Sequence, residues 1–569
     1  MKCYIKMKEK LRKILTQSAR IFGEIPPFEI ERPKVKEHGE LSTNLAMLMA
    51  KKAAWKPQDL AQEIIKNLKD DEGILESVSI AGAGFLNFVF KKSAWQKVLA
   101  EVGKEKADFG RSQEGKGRRI HIEFVSANPT GPLHIGNARG GPLGDALAAL
   151  LQATGYEVTR EYYVNDVGGQ IDKLGESILY WIKNADRADV PPPDGYQGEY
   201  VKELATKAQK QFEKQLKTTE EAEAVRLLGK YGIDQMTLEI KRDCIDMGIQ
   251  FDSWVHEKTI LASGETDTIL KEMKQKGVTL EKEGALWLVP HSSEEFLKDR
   301  ECVLVRTDGR PTYFANDIAY HVGKYKKGYD RIINIWGSNH HGHVPRIQAA
   351  LQCLGYDPKK METVLYQYVR VKRGAEAVKM SKRGGNFVTA REVLDEVGKD
   401  AVRFFLLMRA PESHLDFDLE LAKSRSQENP VYYVQYAHAR LASIQRKAAE
   451  QKIPALKEGG VRLELLDLPE EIEIIQKVSE FPEEISRAAS RREPHRMAFY
   501  LQDLARLFQS YYSKAKEDRR YRVLSSDVDT SQAKMYLCGI LKQTFASGFK
   551  LLGVSAPEVM VQENIENDE

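Results

Sequence analysis

One stretch of the sequence decides the fold: Ile120-His-Ile-Glu-Phe-Val-Ser-Ala-Asn-Pro-Thr-Gly-Pro-Leu-His-Ile-Gly-Asn-Ala-Arg-Gly-Gly141. The β-branched residues 120–125 predict a strand, and the turn formers at 128–132 predict a loop. Apolar residues at helical spacing run from about 136 to 151, and Gly155 is suited to end that helix. The stretch therefore predicts a strand, a loop and a helix, in that order.

The predicted loop is suited to ATP. In a parallel sheet it would lie at the carboxyl edge, where the helix N-terminus directs unpaired N–H groups at a phosphorylated ligand. We expect His134 and Asn137 to act in catalysis by donating hydrogen bonds to phosphate oxygens, and Gly136 to let a nucleobase approach the backbone. Pro132 belongs to the same predicted site. A single histidine beside a glycine-rich turn is more often a capping or packing residue, and that alternative stays open.

A second short motif, Lys379-Met-Ser-Lys382, follows the strand-like residues 362–371. Two lysines and a serine on a loop match the negative charge that develops on a pentavalent α-phosphate and on leaving pyrophosphate. We predict catalytic roles for Lys379, Ser381 and Lys382, with Met380 and Lys382 contacting ATP. Alone, such a basic run is more often a solvated loop. Together with the first motif it predicts a site that forms an adenylate.

With these motifs, the chain resembles a class I aminoacyl-tRNA synthetase and, more narrowly, an arginyl-tRNA synthetase. Five segments that span nearly the whole length carry the resemblance: 39–46, 81–88, 123–134, 313–317 and 429–440. It implies that arginine reacts with Mg-ATP to give arginyl-adenylate and pyrophosphate. Transfer to the terminal adenosine of tRNA(Arg) would follow, without a protein nucleophile.

The expected architecture is a multidomain α/β protein. We expect an α+β N-terminal, tRNA-contacting domain over 1–110 and a Rossmann-like, parallel-sheet catalytic domain over 118–420. A helical, charge-rich insertion is expected around 191–246. An all-α anticodon-binding bundle would occupy 421–569, because the chain is almost wholly helical in pattern from there on.

The chemistry of the substrate predicts which residue types line the amino-acid pocket. A guanidinium is planar, always charged and rich in donors, so a selective pocket needs carboxylates at fork-like spacing. The resemblance implies that Glu123 and Asp317 bind it, with Tyr313 one helical turn before Asp317. Asn128 would hold the substrate ammonium or carboxylate, and His340 would complete the wall. Taken singly, Glu123 could point out of its strand and Tyr313 could belong to the core.

The sequence departs from the family pattern at two positions. The first motif usually ends in a second histidine, but here it ends in Asn137, whose amide can still donate to phosphate without titrating. After Gly337, where the family commonly has an aspartate for the adenosine ribose, the chain has Asn339. We still assign Gly337 and Asn339 to the ATP site.

Contacts with RNA must come from local patches, because the formal net charge is only +3. Aromatic residues at 508–512 precede the basic residues 514–522, a combination suited to base stacking and phosphate binding. An amphipathic helix with a charged outer face would explain residues 514–522 equally well. The predicted tRNA-binding residues are Tyr432, Tyr436, Arg440, Tyr511, Lys516, Arg519 and Arg520.

Composition sets further limits on a chain of 569 residues. No apolar run approaches the ~18 residues of a membrane span, and the start has no signal-peptide core. The five cysteines lack C-x-x-C spacing, so we expect no disulfide framework and no structural metal. A cytoplasmic monomer is the expectation.

Two other classes of function stay open at this stage. A small-molecule adenylyltransferase could use a similar phosphate loop, but it would need neither the helical bundle nor an N-terminal RNA-facing domain. A non-catalytic paralogue that only binds RNA would typically have lost the lysines of the second motif, and here they are intact.

Overall fold

The computed structural model describes residues 3–33, 35–53, 55–185, 192, 194–289, 302–374, 376–377, 388–454 and 460–560. The fold within these ranges is multidomain α/β, as predicted. No helix in these ranges is both long and apolar enough to cross a membrane.

The N-terminal part combines a small sheet with four helices. Strand β3 lies between β1 and β2 and pairs antiparallel with both. The amphipathic helix α3 shows why the helices pack here, since its buried residues Leu60, Ala61 and Ile64 lie on one face. The elements are α1 (Cys3–Ala19), β1 (Leu41–Thr43), α2 (Leu45–Ala53), α3 (Pro57–Lys66), β2 (Leu75–Ala81), β3 (Phe85–Phe90) and α4 (Lys92–Glu105).

A central stretch of alternating strands and helices comes next. The predicted strand, loop and helix correspond to β4 and to the helices α5 and α6, so this prediction is confirmed. The elements are β4 (Arg119–Phe124), α5 (Ile135–Ala138), α6 (Gly140–Ala153), β5 (Glu157–Val164), α7 (Gly169–Lys183), α8 (Glu199–Leu216), α9 (Glu221–Asp246), β6 (Ser253–His256), α10 (Glu257–Ala262) and α11 (Glu265–Gln275).

The second half of this region supplies the remaining strands of the central sheet. The elements are β7 (Thr279–Lys282), β8 (Ala285–Leu288), β9 (Cys302–Val305), α12 (Tyr313–Lys326), β10 (Arg331–Gly337), α13 (Val344–Cys353), β11 (Met361–Tyr366), β12 (Val369–Arg373), β13 (Glu376–Ala377), α14 (Ala390–Leu407), β14 (Leu415–Asp418) and α15 (Leu419–Lys423).

The central sheet has five parallel strands in the order β11-β10-β4-β5-β6. From β4 the chain builds outwards to β6, and it then returns to the other side of β4 to add β10 and β11. This reversal creates a switch point between β4 and β10, and ligands bind at the carboxyl edge of such a point. The side chains of β4 from Ile120 to Phe124 are all buried, as expected for a strand covered on both faces.

Two insertions depart from the simple alternation. Helices α7, α8 and α9 pack around their own apolar core, which includes Leu174, Val201 and Leu228. The antiparallel sheet β7-β8-β9 was not predicted. Its β7–β8 hairpin turns at Glu283-Gly284, and both residues have a positive φ, which is the conformation of a tight two-residue hairpin turn.

The C-terminal part is helical, as predicted. Asn429 begins α16, because its side chain accepts hydrogen bonds from the backbone N–H groups of Val431 and Tyr432. The helices are α16 (Pro430–Glu450), α17 (Pro469–Ser479), α18 (Phe481–Arg491), α19 (His495–Ser513) and α20 (Val528–Leu552).

Candidate functional site

A cavity of about 1230 Å³ opens at the carboxyl edge of the central sheet. It lies at the switch point between β4 and β10, and both halves of the central region contribute to it. The predicted site residues that line it are Glu123, Asn128, Pro132, His134, Asn137, Tyr313, Asp317, Gly337, Asn339 and His340. Gly136 lies in α5 next to the cavity and is not one of its lining residues.

A strained turn directs the chain from β4 over the cavity. Val125 and Ser126 have φ values of 68° and 39°, which for a β-branched residue such as Val125 is a rare conformation. Neighbouring groups hold the turn: the backbone N–H of Tyr163 donates to Ser126 Oγ at 3.1 Å, and the Tyr162 hydroxyl donates to the Ala127 carbonyl at 2.8 Å. Such strain costs about 1–3 kcal/mol per residue and is concentrated at functional sites. Sequence patterns gave no signal for it.

His134 both caps a helix and faces the cavity. It is the N-cap of α5, and its Nδ1 accepts a hydrogen bond of 2.8 Å from the backbone N–H of Gly136. The capping alternative is therefore correct, yet it does not exclude a role at the site. Because Nδ1 accepts, a neutral ring carries its proton on Nε2, which makes Nε2 the donor.

Asn339 and Gly337 lie against each other at the end of β10. A Cβ atom added to Gly337 would come within 2.6 Å of Asn339 Oδ1, so the Asn339 amide would have to turn away to admit a larger residue. Asn137 is exposed on the opposite wall, and its backbone carbonyl accepts a hydrogen bond of 3.3 Å from the Tyr366 hydroxyl.

The carboxylate of Asp317 contacts a histidine that the sequence analysis missed. His343 Nε2 lies 2.9 Å from Asp317 Oδ2, and Tyr313 stacks on the His343 ring with 5.9 Å between centroids. Burial raises the pKa of Asp317, and His343 opposes that shift. Tyr313 is 60% exposed, so the alternative that it belongs to the core is wrong.

Glu123 faces the cavity but is already paired. Lys324 Nζ lies 2.6 Å from Glu123 Oε2, and both side chains are almost fully buried. Lys324 also donates to Asn334 Oδ1 at 3.1 Å. Burial pushes the pKa of Glu123 upward, but the charge and hydrogen bond of Lys324, together with His321 and His121, outweigh it, so the net shift is downward. Lys324 was not predicted, although it lies seven residues after Asp317 on the same helix, which is two turns along one face.

A further carboxylate, Glu257, also lines the cavity and was not predicted. It begins α10, is 3% exposed, and accepts a hydrogen bond of 2.7 Å from the Asn316 side chain. Burial raises its pKa. Within the described ranges no ion pair joins it to a lysine, an arginine or a histidine.

The predicted RNA-binding residues of α16 form a stack on the helical bundle. The rings of Tyr432 and Tyr436 are nearly parallel, 6.0 Å apart. The Arg440 guanidinium lies over the rings of Tyr436 and Tyr512, 4.6 Å from each centroid. Spacing by four residues puts the three α16 side chains on one face of the helix.

Two of the predicted RNA-binding residues do not fit that role. Tyr432 is 7% exposed, so its ring is buried in the bundle. Tyr511 is 2% exposed, and its hydroxyl donates to Glu471 at 2.9 Å, so it is a core residue that cannot stack on a base. Its neighbour Tyr512 is the residue that contacts Arg440. Adjacent residues on a helix point about 100° apart, which separates their environments.

The basic segment after α19 is not a helix with a charged face, so that alternative is wrong. Helix α19 ends at Ser513, and two short 3-10 turns follow it. Lys516, Arg519 and Arg520 are exposed on these turns, and Arg520 pairs with Asp518 at 2.8 Å.

Lys379, Met380, Ser381 and Lys382 lie outside the described residues, so their approach to the first motif stays a prediction. The strand that leads to them is described. In β12, Lys372 pairs with Asp416 at 2.5 Å and Arg373 pairs with Glu396 at 2.7 Å. These two cations therefore belong to surface ion pairs.

Three family models match the chain. They are described as the arginyl tRNA synthetase N terminal domain (residues 6–90), the class I (R) tRNA synthetase catalytic domain (residues 98–409) and the DALR anticodon binding domain (residues 434–560).

Curated relatives match over nearly the whole length. The arginine–tRNA ligase of Syntrophotalea carbinolica is 43% identical over 563 residues, covering 97% of this chain and 100% of that protein. The arginine–tRNA ligase of Desulfitobacterium hafniense is 44% identical over 543 residues, covering 95% of each chain.

Solved structures share the fold. The arginyl-tRNA synthetase of Campylobacter jejuni superposes with a TM-score of 0.72 at 32% identity, covering 83% of this chain and all of that one. That of Thermus thermophilus superposes with a TM-score of 0.75 at 24% identity, covering 97% of this chain and all of that one.

Proposed function

The chain belongs to the arginyl-tRNA synthetase family and is an arginine–tRNA ligase that aminoacylates tRNA(Arg) with arginine, and from this premise we propose how its side chains divide the work. The cavity at the switch point holds arginine and ATP side by side. The observation that carries this assignment is the meeting of Asp317, Glu123 and His134 in one cavity, from three separate elements.

Asp317 is the main charge partner of the substrate guanidinium. Glu123 faces the same cavity, but its charge is matched by Lys324 at 2.6 Å, whereas the Asp317 contact is with His343. A guanidinium at Asp317 would compensate the partly buried carboxylate and lower its raised pKa. The exposed Tyr313 ring, one turn away, offers a face for the planar cation to stack on.

Other polar groups complete the arginine end. Glu123 keeps an acceptor role towards the guanidinium, and Glu257 adds a second buried carboxylate at the wall. Asn128 holds the substrate ammonium or carboxylate, and His340 closes the pocket. These groups select a planar, multiply donating cation over the compact ammonium of lysine.

The ATP end consists of the loop after β4 and the end of β10. His134 and Asn137 donate to phosphate oxygens, while Pro132, Gly136, Gly337 and Asn339 surround the nucleoside. ATP enters as its Mg²⁺ complex. Met380 and Lys382 contact the nucleotide, and Lys379, Ser381 and Lys382 stabilise the α-phosphate and pyrophosphate as negative charge develops.

The reaction then needs positioning and charge stabilisation rather than a protein nucleophile. The arginine carboxylate attacks the α-phosphate, the bond to pyrophosphate breaks, and arginyl-adenylate remains. A hydroxyl of the terminal adenosine of tRNA attacks the activated carbonyl, and AMP leaves. The family implies that the first acceptor is the 2′-hydroxyl.

The helical bundle binds the anticodon region of tRNA. Tyr436 and Arg440 present a ring and a guanidinium in one stack, which suits an unpaired base and a phosphate. Lys516, Arg519 and Arg520 extend the charge along the neighbouring turns. We assign the segments 1–110, 118–420 and 421–569 to tRNA contact, catalysis and anticodon binding, and we propose that the enzyme works as a cytoplasmic monomer.

Aminoacylation of bulk tRNA with each of the twenty amino acids tests the proposal. Arginine alone should be attached, and only with ATP present. Attachment of another amino acid at a comparable kcat/KM would refute the pocket assignment. ATP-dependent adenylation of a small molecule without any charging of tRNA would favour the adenylyltransferase alternative. Binding of tRNA without charging would favour the non-catalytic one.

A further inference from the structure

The helical insertion touches the ATP loop through one hydroxyl. Tyr200, in the first turn of α8, donates from its hydroxyl to the backbone carbonyl of Thr130 at 2.9 Å. Thr130 lies in the loop between β4 and α5, two residues before Pro132. Burial raises the pKa of Tyr200, so the hydroxyl keeps its proton and stays a donor.

Two glycines lie in close contact with Tyr200. A Cβ atom at Gly131 would lie 3.0 Å from the Tyr200 hydroxyl oxygen, and one at Gly198 would lie 2.6 Å from the ring. A side chain at Gly198 would overlap the ring, and one at Gly131 would crowd the hydroxyl. The hydroxyl therefore packs directly against the backbone of the loop.

A second insertion helix touches the same loop nearer to β4. Asn128 Nδ2 donates to Gln170 Oε1 at 3.2 Å, and Gln170 lies in the first turn of α7. Helices α7 and α8 share the apolar core of the insertion, so Gln170 and Tyr200 belong to one packed unit. That unit contacts the loop at two residues. Asn128 is assigned to arginine, and Thr130 precedes Pro132 and His134, which are assigned to ATP.

We propose that Tyr200 and Gln170 are positioning residues through which the insertion sets the shape of the substrate loop, Tyr200 for ATP and Gln170 for arginine. The inference rests on the assignment of His134 to ATP and of Asn128 to arginine. Each side chain acts through another residue: Tyr200 fixes the backbone that leads to Pro132 and His134, while Gln170 orients the amide of Asn128.

Each of the two contacts should therefore affect the binding of one substrate, ATP or arginine, and leave the binding of the other unchanged. A net hydrogen bond contributes about 0.5–1.5 kcal/mol, so loss of either contact should weaken the binding of its own substrate roughly 2- to 12-fold. A purely structural role would instead lower the melting temperature and reduce the active fraction, with both KM values unchanged.

Steady-state aminoacylation by the full chain, at saturating tRNA, measures the KM for ATP and the KM for arginine separately and so tests the two roles. Tyr200→Phe removes only the hydroxyl and should raise the KM for ATP by roughly 2- to 12-fold, with the KM for arginine within about 2-fold of wild type. Gln170→Met keeps the side-chain length and should raise the KM for arginine by roughly 2- to 12-fold, with the KM for ATP within about 2-fold of wild type. Tyr231→Phe is the matched control, because Tyr231 packs in the same core without lining the cavity.

The outcomes separate this inference from the site assignment. If Tyr200→Phe changes neither KM while His134→Ala still raises the KM for ATP, the positioning role is refuted and the ATP assignment stands. If Tyr200→Phe raises the KM for arginine instead, both the inference and the assignment of the loop fail. If Tyr231→Phe changes the KM values as much as Tyr200→Phe does, the effect comes from the stability of the insertion and the positioning role is refuted.

Discussion

The cavity and the stack on the helical bundle are organised in different ways. In the cavity, Glu123 and Lys324 are 201 positions apart, and both are almost fully buried when they meet. On the bundle, Tyr436 and Arg440 are neighbours along α16 and are half-buried near the surface, with Tyr512 as the distant partner. Buried charges couple a site to the stability of the fold, whereas a half-buried contact at helical spacing, such as that of Tyr436 with Arg440, depends much less on distant partners.

The largest expected effect tests that coupling directly. Lys324→Met leaves the buried Glu123 carboxylate without its cation, which should lower the unfolding free energy by about 3–5 kcal/mol. Chemical denaturation followed by circular dichroism measures the loss. The double variant Glu123→Gln/Lys324→Met should recover much of it, because no charge stays buried. Lys326→Met, on the exposed side of the same helix, is the control; a loss of similar size there would contradict the argument.

The second expected effect concerns substrate identity. Asp317→Asn keeps the shape of the side chain but replaces an acceptor oxygen with a donor that faces the guanidinium donors. The kcat/KM for arginine should fall roughly 30- to 5,000-fold, with the KM for ATP nearly unchanged. The kcat/KM for lysine should rise little, because an ammonium cannot use the fork geometry.

The control for this variant is Asp308→Asn, in an exposed turn where Asp308 pairs with Arg310. Near wild-type charging by Asp317→Asn would move the main role to Glu123, Glu257 or His340.

The third prediction concerns the ATP end of the cavity. If Lys382 acts on charge that develops in the transition state, Lys382→Ala should lower kcat on the order of 10²–10³-fold and leave the KM for arginine unchanged. Aminoacylation kinetics measure both constants. Lys360→Ala, at an exposed lysine, is the control. A change confined to the KM for ATP would assign Lys382 to ground-state binding.

The smallest expected effect belongs to the bundle. Tyr512→Ala removes one ring of the Arg440 sandwich, and a cation–π contact near the surface contributes about 0.5–1 kcal/mol, or roughly 2- to 5-fold in the KM for tRNA. The KM values for arginine and ATP should change little. Tyr511→Phe is the contrast, since loss of its bond to Glu471 should reduce stability without a selective effect on tRNA. If both variants changed the KM for tRNA equally, Tyr512 would have no special role in tRNA binding.

Several elements could be predicted because their signals are local. The strand, loop and helix over 120–153 follow from residue pattern alone, as does the helical C-terminal part. The strand-like residues 362–371 divide between two strands, because β11 ends at Tyr366 and β12 begins at Val369 in another sheet. The buried Arg139 binds the carbonyl of Gln367 at 2.9 Å and holds the chain between the two strands.

Other features depended on contacts that no local pattern contains. Residues 511 and 512 are identical in type, and only the packing of α19 decides that one is core and the other meets Arg440. The left-handed φ of Val125 is imposed by its surroundings against its own preference. His343 follows a strand end by several residues and acquires its role only because Asp317 on α12 lies beside it.

The sequence by itself determined the family, the reaction and the residue types of the site, because motifs and helical or strand spacing are properties of neighbouring residues. Only the tertiary structure decided which charges meet. Glu123 and Asp317 look equivalent in the sequence, yet Lys324 neutralises the first while His343 contacts the second. The reason is physical: the partner of a buried charge is set by how the sheet and helices pack, since burial without a partner costs too much to persist.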